Sequence, residues 1–157
     1  MLRHFYAVIA LAALASPAAA AEYLTEVTSQ VHQTPGTPKE IATRASTCIA
    51  QNLRPGTVNA QQIVSSDLGN GIIVAQNALR FGSLPEWQIR SRFTFEAREG
   101  RFRISQTGLE MFNDMAGGWG PIGKWWGSPW KKAEATFAAS AAAVAQCVMS
   151  GPKRDDW

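Results

Sequence analysis

The chain has 157 residues, 46% hydrophobic and 17% charged, with a formal net charge of +3. That balance excludes a disordered chain, which buries too little apolar surface to offset the entropy of ordering. A charge this small does not by itself point to nucleic acid, which calls for a strongly basic face.

The first residues read as a secretory signal. Arg3 gives a positive start, Phe5 to Leu14 is an apolar run, Ser16-Pro17 breaks it, and Ala19-Ala20-Ala21 supplies small residues for cleavage. A buried first helix is the other reading of the same stretch. The run is shorter than the ~20 apolar residues that span a bilayer. The expected organisation is a signal peptide over 1–21, one domain over 22–150 and a polar tail over 151–157. The expected location is periplasmic or secreted, with no membrane span once the signal is removed.

Glu22 to Gln33 alternates in part, with Tyr23, Val27 and Val31 sharing a face, and reads as a first strand. Thr34-Pro35-Gly36 turns the chain. Thr37-Pro38-Lys39-Glu40 is a helix start with a cap, a first-turn proline and a capping box. Ile41, Ala45, Cys48, Ile49 and Leu53 follow at helical spacing, and Arg54-Pro55-Gly56 ends that helix.

Val58 to Ser66 and Ile72 to Phe81 read as the next two strands, joined by the turn Asp67 to Gly71. Trp87 to Ala97 is the clearest strand. Trp87, Ile89, Phe93 and Phe95 share one face, and Gln88, Arg90, Arg92, Thr94 and Glu96 share the other. Glu99-Gly100 turns into a return strand, Arg101 to Leu109, with Phe102 and Ile104 inward and Arg101, Arg103 and Ser105 outward.

Glu110 to Gly127 is rich in glycine and reads as irregular. Ser128-Pro129 then starts an Ala-rich helix, with Ser128 as cap. Trp130, Ala133, Phe137, Ala141, Val144 and Val148 form its stripe, with Cys147 beside it. The predicted fold is α+β: one antiparallel sheet of about five strands with two helices on one face, in the order β-α-β-β-β-β-α. That arrangement brings the helices of Cys48 and Cys147 together. In an oxidising compartment it favours a disulfide; two buried free thiols are the alternative.

The pattern resembles a bacterial family of exported proteins, domain of unknown function 4468. Three segments carry the resemblance: Val31 to Glu40, Asn70 to Val74, and Phe93 to Ile104, where a strand, a glycine turn and an Arg-aromatic-Arg return follow one another. The likeness spans roughly Tyr23 to Leu109. It implies a fold like half of the TATA-binding protein and an exported location. It implies no chemistry, because function resides in sites rather than folds.

The catalytic inventory is short. His32 is the only histidine beyond the leader, and no Cys/His/Asp/Glu group has metal-ligand spacing, so neither a cofactor nor a metal is expected. Ser128-Pro129-Trp130-Lys131 fits an acylating-serine pattern without its partner motifs. Gly118 to Gly123 fits a dinucleotide fingerprint but has Pro121 inside it and no parallel βαβ unit around it.

Two surfaces remain. Arg90, Arg92, Arg101 and Arg103 project from neighbouring strands and could hold an anion bidentately. They could equally form a solvated face balanced by Glu96 and Glu99. Trp119, Trp125, Trp126 and Trp130 fall within twelve residues. They either fold over the end of the core or form an exposed platform for a glycan, an anionic lipid surface or an envelope protein. The expected function is a non-enzymatic binding module using one or both surfaces. The alternative is an assembly subunit that docks through the Trp loop.

Overall fold

The structure, a computed structural model, describes residues 22–56 and 61–151. Eight strand segments and two helices follow in chain order. They are β1 (Tyr23–Leu24), β2 (Glu26–Thr28), β3 (His32–Gln33), α1 (Pro38–Asn52), β4 (Ile63–Asp67), β5 (Ile72–Phe81), β6 (Trp87–Arg98), β7 (Arg101–Asn113), β8 (Gly118–Gly123) and α2 (Trp130–Ser150). Every strand pairing is antiparallel, in the order β1-β8-β7-β6-β5-β4, with β2 and β3 continuing along the edge of β7. The fold is the expected α+β class with more strands than expected.

α1 starts where the sequence places it. Glu40 N donates to Thr37 Oγ1 at 3.3 Å, and Thr37 N donates to Glu40 Oε2 at 2.8 Å, so two otherwise orphaned helix donors are satisfied reciprocally. The β4–β5 turn is closed by Asn70 Nδ2, which donates to Asp67 Oδ2 at 2.8 Å. The alternation in β6 holds: Ile89, Phe93 and Phe95 are fully buried while Arg90 and Arg92 are exposed.

Both helices cover the inner face. Ile41, Ala45 and Ile49 of α1 and Val144 and Val148 of α2 pack on Ile73, Phe93, Phe95 and Ile104. A second apolar cluster joins Leu24, Ile89, Leu109 and Ile122 to Ala133 and Phe137 of α2. Between them lies a buried polar knot. Gln106 Oε1 accepts from Asn77 Nδ2 at 2.8 Å and from Ser91 Oγ at 2.9 Å, and Gln106 Nε2 donates to the Phe137 carbonyl at 2.7 Å. Asn77 Nδ2 also donates to Ser140 Oγ at 2.9 Å. Cys48 and Cys147 are bonded, with Cα atoms 5.7 Å apart, and tie α1 to α2.

Four expectations are corrected. The first strand is three short pieces, and its buried residue is Leu24; Tyr23 and Val31 are 40% and 53% exposed. The stretch predicted as irregular completes β7 and forms β8. Glycine and proline masked it, yet Pro121 sits where a strand tolerates it, since β1 meets β8 only at Ile122 and Gly123. The strand predicted from Val58 begins at Ile63, and Val58 lies outside the described residues. Ser128 does not cap α2: Pro129 holds the cap position without a side-chain hydrogen bond. The predicted signal peptide and the tail beyond Gly151 lie outside the described residues.

Candidate functional site

The outer face of the sheet, opposite the helices, is where the arginines collect. Strand alternation places Arg90, Arg92 and Arg98 of β6 and Arg101 and Arg103 of β7 on this side, all exposed. Arg80 of β5 joins them. The segment after α1 wraps the far edge: Ala78 N donates to the Arg54 carbonyl at 2.8 Å. A Cβ on Gly56 would lie 2.6 Å from Ala78 Cβ, so Arg54-Pro55-Gly56 walls the face closely.

A groove of about 1070 Å³ runs between that wall and Trp119 of β8. This is the size range of small-molecule sites. Gln76, Ala78, Gln88, Arg90 and Arg92 contribute to its lining. Two features open it. Ala78, directly opposite Arg90, is too short to fill the space. Gly108 marks a bulge where β7 carries one extra residue, between the pairs Arg90–Glu110 and Arg92–Thr107. Its φ of +59° is left-handed backbone that glycine adopts without strain.

Within the groove the arginines differ in kind. The Arg90 guanidinium lies 4.3 Å from the Trp119 ring centroid, and its Nε donates to Glu110 Oε2 at 2.6 Å. Trp119 is itself held edge-on against its cross-strand neighbour Phe112, with centroids 5.4 Å apart. An exposed cation–π contact contributes ~0.5–1 kcal/mol and an exposed ion pair ~0.2–1 kcal/mol. Together they give one guanidinium two partners. Arg80 pairs with Glu86 at 2.9 Å. Arg54 and Arg92 have no acidic partner among the described residues.

The four predicted arginines share a face but do not converge. Arg90 and Arg92 belong to the groove, whereas Arg101 and Arg103 lie at the other end of the face, by a smaller hollow of about 200 Å³ with Arg98 and Val31. Arg103 Nη2 contacts Glu96 Oε2 at 2.8 Å. Arg98 stands directly opposite Arg101. Neither has an acidic partner among the described residues.

The four tryptophans do not form one platform. Trp119 belongs to the groove. Trp130 is half-buried in the second apolar cluster, with the Lys124 and Lys131 ammonium groups 5.5 and 5.6 Å from its ring. Trp125 lies over Gly123, where a Cβ would stand 1.3 Å from its ring, and remains 57% exposed. Trp126 is 99% exposed. Sequence reasoning missed Arg54, which only the wrapped edge brings in, and Glu110, which the unrecognised end of β7 carries. The available signal was Gly108, after which the outward alternation of Arg101 and Arg103 resumes one residue out of phase at Glu110 and Phe112.

Among the described residues, no group of three His, Cys, Asp or Glu side chains could hold a metal ion, and no helix is long and apolar enough to cross a membrane. His32 stacks on Phe102 with centroids 5.1 Å apart. Two carboxylates outside the groove are held below their ordinary range. Glu40 is lowered by the backbone and then the side chain of Thr37, and Asp67 by the side chain and then the backbone of Asn70.

No protein-family model and no curated protein matches the chain. Among solved structures, it is similar to a DUF4468 family protein from Bacteroides ovatus ATCC 8483, determined at 1.49 Å resolution. The TM-score is 0.57 over 83% of this chain and 88% of that one, with 13% sequence identity. The likeness expected from the sequence is therefore present in the fold.

Proposed function

We propose that this protein is an exported, non-enzymatic binding module of the cell envelope, and that the outer-face groove takes an anionic ligand. The observation that carries the proposal is the contrast among the groove arginines. Arg90 is engaged by both Trp119 and Glu110, while Arg54 and Arg92, in the same groove, have no acidic partner among the described residues. A guanidinium so engaged beside free ones is pre-organised to receive a carboxylate, sulfate or phosphate, since less side-chain entropy is lost on binding. Periplasmic or secreted placement rests on the signal-like residues 1–21.

Calorimetric titration with phosphate, sulfate and galacturonate tests the groove. Binding is expected at low salt, weakening as salt is raised, and is weakened in Arg92→Ala but unchanged in Lys132→Ala. No binding of any anion at low salt would end the proposal.

A second reading has its own observation. Trp126 is almost wholly exposed beside a half-exposed Trp125, and clustered exposed aromatics mark contact surfaces. On this reading the loop docks to another subunit. Light scattering coupled to size exclusion then shows a dimer or larger species that Trp126→Ala converts to monomer; a wild-type monomer at all concentrations refutes it.

A further inference from the structure

The two basic sites on the outer face lie at the two ends of one strand. Arg92 in the groove and Arg98 beside the smaller hollow are both outward-facing residues of β6, six positions apart, which is about 20 Å along a strand. We infer that, granting an anionic ligand in the groove, that ligand is an extended acidic polysaccharide, a polyuronate, lying along β6 and bridging both sites.

Three features support an extended, hydroxyl-bearing anion. First, Arg98 and Arg101 are direct cross-strand neighbours without an acidic partner among the described residues. Like charges placed opposite one another destabilise a sheet, and a carboxylate between them reverses that cost. Second, the span between the sites is hydrogen-bonding surface. Thr94 pairs with Ser105, and Arg92 is flanked by Gln76 and Thr107. Hydroxyl and amide groups at these positions suit sugar hydroxyls. The carboxylate on the line, Glu96, is already neutralised by Arg103. Third, the aromatic ring in the groove is not free. Arg90 covers Trp119 and Phe112 meets its edge. With one face and one edge of the ring engaged, the polar line along β6 supplies the remaining contacts.

The experiment uses the full chain with galacturonic acid, galacturonate oligomers of increasing length, and polyglutamate of matching charge. Affinity is expected to rise with oligomer length. Arg98→Ala/Arg101→Ala is expected to lower polymer affinity on the order of tenfold and to abolish the length dependence, while Arg92→Ala weakens monomer and polymer alike. All three arginines are exposed, and matching thermal melts confirm that the variants fold. Monomer and polymer binding equally, or a double variant with undiminished polymer affinity, overturns the bridging ligand and leaves the groove site standing. Polyglutamate binding as tightly as polygalacturonate overturns the saccharide. No binding of monomer or polymer at low salt removes the groove itself.

Discussion

The Cys48–Cys147 bond closes a sequence separation of 99 residues, and its removal gives the largest stability change to be expected from a single covalent perturbation. In the chain-entropy account a loop of that length restricts the unfolded ensemble by about 4.7 kcal/mol. With ~2.1 cal/mol/K of unfolding entropy per residue over roughly 130 residues, the loss corresponds to a fall in Tm of about 17 °C. Reduction is the cleaner perturbation, because both sulfur atoms remain and the packing of α1 against α2 is left in place. Cys48→Ala/Cys147→Ala also removes the buried Cys48 sulfur from the apolar cluster, so the variant should melt below the reduced protein. The assay is a thermal melt of oxidised protein, reduced protein and double variant, with a thiol titration of the unfolded, unreduced chain showing no free thiol. A fall under about 5 °C on complete reduction would refute the loop-entropy reasoning. It would mean that helix packing alone orders this pair.

Two further predictions concern the core and the termini of its elements. Gln106→Ala deprives Asn77 and Ser91 of their shared acceptor and leaves the Phe137 carbonyl without one donor, all in a buried setting. The expected loss is about 3–5 kcal/mol in urea unfolding, and a loss under ~1 kcal/mol would show that the knot is not structural. Glu40 and Asp67 have lowered folded-state pKa values, so their stabilisation is complete above their ordinary values of 4.5 and 3.8 and is lost as pH falls below them. Urea midpoints measured downward from neutral pH should drop through that window and flatten in Glu40→Gln/Asp67→Asn; an unchanged slope contradicts the assignment.

The parts legible in the sequence were those where a local rule and the tertiary solution agree. The Thr37–Glu40 capping box, the two-faced β6 and the stripe of α2 each follow from residues within one element. The disulfide was legible because both cysteines fall on stripes that must share one covered face. What escaped depended on partners distant in sequence. Gly108 allows β7 to bulge and continue, so Glu110 reaches Arg90 instead of ending a strand. Gly118 and Gly120 read as loop residues because a strand's glycines look alike whether or not a neighbour is present, and β7 supplies that neighbour. Alternation places Asn77 and Gln106 on the inner face, but only the crossing of α2 over the middle strands brings their polar groups within bonding reach of Ser140 and the Phe137 carbonyl.

The placement of β8 also decides how the arginines should be understood. Had residues 118–123 been a loose loop, Arg90, Arg92, Arg101 and Arg103 would have been equivalent groups on a wet surface. Pairing β8 with the end of β7 sets Trp119 beside Phe112 and under Arg90, which distinguishes one arginine from the rest. Each contact there is individually weak, so neither adds much to stability. The effect of the arrangement is geometric. It places a guanidinium at the edge of a space that Ala78 and Gly108 leave open, while Arg54 and Arg92 in the same groove have no acidic partner among the described residues. Those three properties are the ones on which the proposed capture of an anion depends.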